Sequence, residues 1–105
     1  MELVVLKTGD FEEWFRNQSK VAQLQIDARI NRLRKHEHLG DYKLIAPQLI
    51  ELRWKNGRRV YIAFKGKEAV ICLNGGGKGG QEKDIKKAKK ICEAIQTGFL
   101  EIKGY

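Results

Sequence analysis

The chain has few of the residues from which disulfides and metal sites are built. Its 105 residues include only two cysteines, two histidines and one proline. Cys72 lies in an apolar strand pattern and Cys92 in a helical one, where free buried thiols usually occur. No second cysteine or histidine stands at zinc-ligand spacing from either. We therefore expect no disulfide, no metal and no cofactor.

Long hydrophobic runs are also missing. No stretch of about 18 apolar residues occurs, which argues against a transmembrane helix. The segment from Met1 to Lys7 is only briefly apolar and has no basic leader, so we expect no signal peptide and a cytoplasmic location. No helical pattern pairs a basic face with a wide apolar one, so a membrane partner is not expected.

Acidic residues are the minority among the charged ones. Asp and Glu number 13 against 21 Lys and Arg, which gives a formal net charge of +8. A small protein of this charge usually meets a polyanion such as RNA, DNA or the ribosome, or an acidic partner. A lysine-rich surface that only contacts solvent would give the same composition.

The apolar periodicities predict one α/β (α+β) domain over residues 1–105, with the element order β-α-α-β-β-β-α. A strand over residues 3–6 precedes a short helix over 11–15, which Thr8 or Asp10 can cap. Ser19 caps a longer helix that carries Arg29 on its outer face and ends near Gly40. The closing helix spans residues 81–96. We expect an antiparallel sheet with all helices packed on its apolar face and the other face partly open and polar.

Strand alternation predicts the register of the first hairpin. A three-residue loop over 55–57 pairs Arg53 with Arg59, whereas a two-residue loop would bury arginines. The three-residue loop gathers Glu51, Arg53, Arg59 and Tyr61 on one face.

In the second hairpin, a two-residue loop at 66–67 would pair Ile62 with Ile71 and Val60 with Leu73.

The gathered side chains suit a phosphodiester. Guanidinium groups bind phosphate oxygens in pairs, and Tyr61 could stack on a base or donate a proton. Lys78 follows in a glycine-rich turn over 75–81, at the rim of the same face. Because the RNA 2′-hydroxyl can act as nucleophile, such a site could cleave RNA without a metal. The alternative is that Glu51 simply pairs with an arginine on the surface.

The glycine-rich turn also matches the dinucleotide fingerprint Gly-x-Gly-x-x-Gly. That fold needs a further parallel strand after the helix, and too few residues remain for one. A Walker loop is excluded because Gly79, not Ser or Thr, follows Lys78.

Several short motifs occur together in a specific order. They are Phe11 through Phe15, Ala28-Arg29-Ile30-x-Arg32-Leu33, Gly40-Asp41-x-Lys43, Glu51-Leu52-Arg53, Arg59-Val60-Tyr61 and Lys78-x-x-Gln81-x-x-Asp84-Ile85-x-x-Ala88. In these motifs the chain resembles the RelE/ParE toxin superfamily, and within it the HigB-like, phage-derived "addiction module killer" branch. The resemblance implies a RelE-like, microbial-RNase-type fold and ribosome-dependent cleavage of mRNA.

The resemblance also implies roles for particular residues. Arg53 and Arg59 would grip the scissile phosphate, Lys78 would bind phosphate or transfer a proton, and Tyr61 would stack or act as acid or base. Contacts to RNA are expected from Lys43, Arg58, Gln81, Lys83, Lys86 and Lys87. The chain departs from the family at Gly79, Gly80 and Pro47, and its general base stays unassigned.

The expected partners are the ribosome with its mRNA and a cognate antitoxin of helix-turn-helix type, through which the pair would bind operator DNA. Two other functions stay open from the sequence. ParE-like members of the superfamily inhibit DNA gyrase by protein contact, and a basic RNA-binding module without toxicity would have a similar composition.

Overall fold

The computed structural model describes residues 2–105 and contains three helices and six strands. In chain order they are β1 (Val4–Thr8), α1 (Gly9–Arg16), α2 (Lys20–His36), β2 (Tyr42–Ala46), β3 (Leu49–Arg53), β4 (Arg59–Lys65), β5 (Ala69–Gly76), α3 (Gln81–Gln96) and β6 (Ile102–Gly104). None of these helices is long and apolar enough to cross a membrane.

The six strands form one mostly antiparallel sheet in the order β2-β3-β4-β5-β1-β6. The pairing of β1 with β5 is parallel, and all other neighbours are antiparallel. The predicted element order is confirmed, with β2 and β6 added at the two edges. The sequence did not predict these edge strands, because β2 exposes most of its side chains and β6 has three residues that depend on pairing with β1.

Helices cover both faces of the sheet. On one face, α1 and α2 pack their apolar side chains, including Phe11, Ile26 and Ile30, against alternate residues of β3, β4 and β5. On the other face, Ala88 and Ile91 of α3 pack against Leu49, Tyr61, Ala63, Ile71 and Leu73. The α+β fold is therefore confirmed, but the prediction that all helices pack on one face is wrong. The second face is apolar along β5, and α3 is amphipathic enough to bury it.

Both helix N-terminal caps that the sequence predicts are present. The Thr8 hydroxyl accepts a hydrogen bond from the Phe11 amide, and the Ser19 hydroxyl accepts one from the Ala22 amide. The C-terminus of α2 differs, because the left-handed residue that directly follows the last turn is Glu37 (φ 51°). Gly40 also has a positive φ of 68°, but it lies further along the chain.

Arg29, predicted on the outer face of α2, is buried. Its guanidinium donates to the backbone carbonyls of Leu39, Asp41 and Arg53, and it lies 4.5 Å from the centre of the Trp54 ring. Burial lowers the pKa of Arg29 from its ordinary value. Three carbonyl acceptors and an aromatic face replace the water that this charge loses. Arg29 thereby fixes the segment that leads into β2 against the end of β3.

The register of the first hairpin is confirmed. Arg53 lies opposite Arg59, and Gly57 has φ 94° in a three-residue loop.

The predicted register of the second hairpin is wrong. Its loop has three residues, because Lys65 pairs with Ala69 and Ile62 therefore faces Cys72 in place of Ile71. A bulge between Tyr61 and Ile62 then adds one more residue to β5.

Gly75 and Gly76 belong to β5, not to the flexible turn that the sequence suggested. A Cβ atom added at Gly75 would lie 2.3 Å from the Trp14 ring, and one added at Gly76 would lie 2.1 Å from an Asp84 carboxylate oxygen. The absence of side chains lets α1 and α3 approach the end of this strand from its two sides.

Gly75→Ala should therefore destabilise the fold. Trp14 would have to move away from the strand, and overpacking of this kind costs about 1–3 kcal/mol. Urea unfolding of the variant measures this cost. The matched control is Gly77→Ala, since a Cβ there meets nothing within 4 Å. Equal stability of both variants would contradict the close packing of Trp14.

Candidate functional site

A buried carboxylate lies at the centre of the predicted site. The side chain of Glu51 in β3 is 0% exposed. Its Oε1 atom accepts a hydrogen bond from Arg53 Nε at 2.9 Å, and its Oε2 atom accepts one from the Tyr61 hydroxyl at 2.8 Å. The side-chain amide of Gln81, the first residue of α3, donates to both oxygens at 3.2 and 3.0 Å. Glu51 thus joins β3, β4 and α3.

The two predicted arginines lie on either side of this carboxylate. Arg59 Nε lies 3.9 Å from Glu51 Oε2, and Arg59 Nη1 donates to the Gly77 carbonyl at 2.9 Å. The Arg53 side chain is 37% exposed and that of Arg59 19%. A second carboxylate, that of Asp84, lies near enough for the charge of Arg59 to lower its pKa, although burial raises that pKa overall. Within residues 2–105 the terminal nitrogens of Arg53 donate to no protein atom, so they can bind a further anion.

The environment of Glu51 keeps it ionised. Burial alone would raise the pKa of its carboxyl, but hydrogen bonds from Gln81, Arg53 and Tyr61 outweigh burial and hold this pKa below its ordinary value. Burial and the bond to Glu51 together raise the pKa of the Tyr61 hydroxyl. Tyr61 is 0% exposed, so it has no free ring face on which a base could stack. In this arrangement its hydroxyl orients Glu51.

The carboxylate of Glu51 should make the stability of the protein depend on pH. Its pKa is lower in the folded state than its ordinary value of 4.5. Its stabilising contribution is therefore complete above that value and is lost as the pH falls through the folded pKa. We expect the free energy of unfolding of the wild type to drop more steeply than that of Glu51→Gln between about pH 5 and pH 3. Parallel curves for the two proteins would contradict this arrangement of charges.

The structure brings some of the predicted RNA contacts to this cluster. Lys43 is the cross-strand neighbour of Glu51 and therefore shares its face of the sheet. Gln81 contacts Glu51 directly, while Lys83 and Lys86 are exposed on α3 near its N-terminus.

Other predicted residues lie apart from it. The Lys87 ammonium lies 3.5 Å from an Asp10 carboxylate oxygen on α1. Arg58 lies on the opposite face, where it donates to Gln25 of α2 at 3.0 Å. Lys78 is exposed in the loop between β5 and α3, and it packs against Gly57 of the β3–β4 turn.

Sequence reasoning placed Glu51 on the right face but missed its central position. The register of the β3–β4 hairpin was enough to predict that Glu51 lies beside Arg53 and Arg59. The burial of Glu51 depends on α3 and Gln81, which the sequence did not place on this face.

Sequence reasoning also missed a polar contact at the base of α3. Asn74 donates to the Asp84 carbonyl at 3.1 Å, and burial raises the pKa of the Asp84 carboxyl.

Two sequence comparisons bear on the family. Residues 13–96 match the family described as "Phage derived protein Gp49-like". The chain is also 35% identical over 98 residues to an uncharacterized protein of Haemophilus influenzae, and the match covers 90% of this chain and 98% of that protein.

Solved structures of an Escherichia coli toxin have a similar fold. Isolated RelE matches 87% of this chain and 99% of its own with a TM-score of 0.64 at 13% identity. A RelE mutant in the free state matches 86% and 97% with a TM-score of 0.69 at 15% identity. The intact RelBE toxin–antitoxin complex matches 75% and 98% with a TM-score of 0.62 at 12% identity. These likenesses confirm the RelE-like fold that the sequence predicts.

Proposed function

Because the chain belongs to the phage-derived Gp49-like family, a RelE/HigB-type toxin family, we propose that it is a toxin that cleaves mRNA on the ribosome. The observation that carries this proposal is the pair of guanidinium groups at Glu51. Within residues 2–105, Glu51 is the one carboxylate within ion-pair distance of both arginines, and the terminal nitrogens of Arg53 stay open to solvent. These nitrogens can hydrogen-bond the oxygens of a phosphate group.

In the proposed reaction the 2′-hydroxyl of the message attacks the adjacent phosphorus. The 2′-hydroxyl gives its proton to water as its oxygen bonds to phosphorus. The bond to the 5′-oxygen breaks, and that oxygen takes a proton from water, so that a 2′,3′-cyclic phosphate and a 5′-hydroxyl result. Negative charge grows on the non-bridging oxygens in the transition state, where Arg53 and Arg59 stabilise it. Glu51 holds both side chains in place before the substrate arrives, so little reorganisation is needed. The ribosome orients the message for in-line attack.

The proposed regulator is a cognate antitoxin, encoded with the toxin as a type II module. RelE, whose fold this chain shares, has been crystallised with its antitoxin. A helix-turn-helix antitoxin would also recruit the complex to operator DNA. Acidic residues of the antitoxin would be attracted to this chain, whose formal net charge is +8.

Induced expression in bacteria, followed by primer extension on several transcripts, tests the proposal. We expect growth arrest and new 5′ ends within translated codons, both of which co-expression of the antitoxin prevents. Lys67→Ala, which removes one charge from the exposed β4–β5 turn, should behave as the wild type. Growth arrest with intact messages and relaxed plasmid DNA would instead indicate a gyrase inhibitor, and normal growth would indicate a binding module without toxicity.

A further inference from the structure

The proposed reaction needs a group that removes the proton of the 2′-hydroxyl, and two carboxylates lie near the proposed phosphate site, those of Glu51 and Asp84. The oxygens of Glu51 are already occupied, because Arg53, Tyr61 and Gln81 all donate hydrogen bonds to them. These donors hold the pKa of Glu51 below its ordinary value, and its side chain is 0% exposed. Glu51 is therefore a weak proton acceptor that water does not reach.

The carboxylate of Asp84 lies on the same face of the sheet as Arg59. Gly76 of β5 is the cross-strand partner of Arg59, and the side chains of such partners project from one face. A Cβ atom added at Gly76 would overlap Asp84 Oδ2, so this oxygen occupies the space above the glycine. Because Cβ atoms of cross-strand partners are about 5 Å apart, the carboxylate lies within roughly 8 Å of Arg59 Cβ. In the strand order β3-β4-β5, Asp84 and Glu51 thus lie on either side of Arg59.

The Asp84 carboxylate is free to accept a proton. Within residues 2–105 it accepts no hydrogen bond and has no cation within ion-pair distance, since the bond from Asn74 goes to the Asp84 backbone carbonyl. The residue is only half-buried, so water can reach the carboxylate. Burial raises the pKa of this carboxyl and outweighs the positive charges of Lys87, Arg59 and Lys83, which lower it. A carboxylate with a raised pKa and unoccupied oxygens is suited to act as a general base.

We propose that Asp84 is the general base of the RNA cleavage, and that one water molecule carries the proton of the 2′-hydroxyl to its carboxylate. This inference rests on the proposed function. It assigns a step that Arg53 and Arg59 cannot perform, because a guanidinium keeps its proton in proteins. A bridge of two hydrogen bonds through one water spans about 5–6 Å, so the ribose next to a phosphate at Arg59 need not touch Asp84 directly.

The protons of this step balance. The 2′-oxygen bonds to phosphorus as its proton passes to the bridging water, and a proton of that water passes to the Asp84 carboxylate. The bond between phosphorus and the 5′-oxygen breaks, and that oxygen takes a proton from a second water molecule. The Asp84 carboxylic acid then gives its proton to the hydroxide that the second water leaves, which restores the carboxylate.

The Asp84→Ala variant tests this assignment in single-turnover cleavage on purified ribosomes. General bases contribute about 10²–10⁴-fold, so we expect the rate to fall by at least about 10²-fold. Binding to ribosomes that carry a 2′-O-methyl codon, which cannot be cleaved, should not weaken, because Arg53 and Arg59 remain. Glu82→Ala is the matched control, since Glu82 is an exposed acid in the same first turn of α3. It should cut at the wild-type rate, and an Asp84→Ala protein that cuts equally fast would overturn the proposal.

Added formate separates proton acceptance from a role in positioning Arg59. Formate is a small carboxylate that fits the space above Gly76 that the Asp84→Ala variant vacates. We expect the rate of this variant to rise with formate concentration, whereas nitrate, a planar anion of similar size that hardly accepts a proton, should leave it unchanged. Equal rescue by both anions, or no rescue by formate, would overturn the general base.

The wild type separates this inference from the nuclease proposal. A wild type that leaves every message intact would refute the nuclease and the general base together. A wild type that cuts, with an Asp84→Ala variant that binds and cuts equally well, would refute the general base alone.

Discussion

Replacing Arg59 by alanine is expected to lower the rate of message cleavage by a factor of about 10²–10³, the usual effect of removing one donor from a transition-state oxyanion. Arg59 is mostly buried and is held by Glu51 and the Gly77 carbonyl, so its guanidinium is fixed before substrate binds. Single-turnover cleavage on purified ribosomes measures the change. The fold should persist, because Arg53, Tyr61 and Gln81 still neutralise and hydrogen-bond the Glu51 carboxylate.

Arg32→Ala is the matched control for this variant. Arg32 is exposed on α2, which packs on the opposite face of the sheet. Its substitution therefore also removes one positive charge, but at a position away from the site. We expect its cleavage rate to stay within a few-fold of the wild type. If Arg59→Ala cuts as fast as Arg32→Ala, Arg59 has no part in the chemistry.

The Glu51→Ala variant should have the largest effect on stability. Removing one member of a buried ion pair usually costs about 3–5 kcal/mol, because the remaining charges lose their partner. We expect a value near 3 kcal/mol, since Arg53 is 37% exposed and water can solvate it after the loss. The Tyr61 hydroxyl and the Gln81 amide would also lose their acceptor. Urea unfolding at neutral pH measures the free energy.

Glu68→Ala provides the comparison, because Glu68 is exposed in the β4–β5 turn and forms no side-chain ion pair within residues 2–105. Its stability should change by less than about 0.5 kcal/mol. A Glu51→Ala protein as stable as Glu68→Ala would mean that the carboxylate is not the centre of the site.

The sequence was sufficient for features that local patterns determine. The N-terminal caps at Thr8 and Ser19 follow from side-chain chemistry, and Gly57 follows from the left-handed position in a three-residue loop. The pairing of Arg53 with Arg59 followed because a one-residue slip would have buried arginines. Membership of the family also followed from the order of the motifs.

Features that depend on tertiary packing could not be predicted in the same way. The β4–β5 loop is one residue longer than expected, and this one-residue shift moves the side chains of β5 that precede the bulge to the other face. Ile71 and Leu73 therefore lie on the second face of the sheet, where α3 buries them. The face that the sequence predicted to be partly open is closed by this packing. Tyr61 is buried and Glu51 becomes central for the same reason. Arg29 was misplaced because only the folded chain brings three carbonyl groups to it.

The most direct test of the nuclease proposal uses purified protein, ribosomes and a defined message. The message carries the same codon in the A site in two forms, one with ribose throughout and one with a single 2′-deoxy nucleotide at the cleaved position. We predict a cut within the codon of the ribose message and none at the deoxy position, because the neighbouring 2′-hydroxyl is the nucleophile. An intact ribose message, or equal cutting of both forms, would contradict the account.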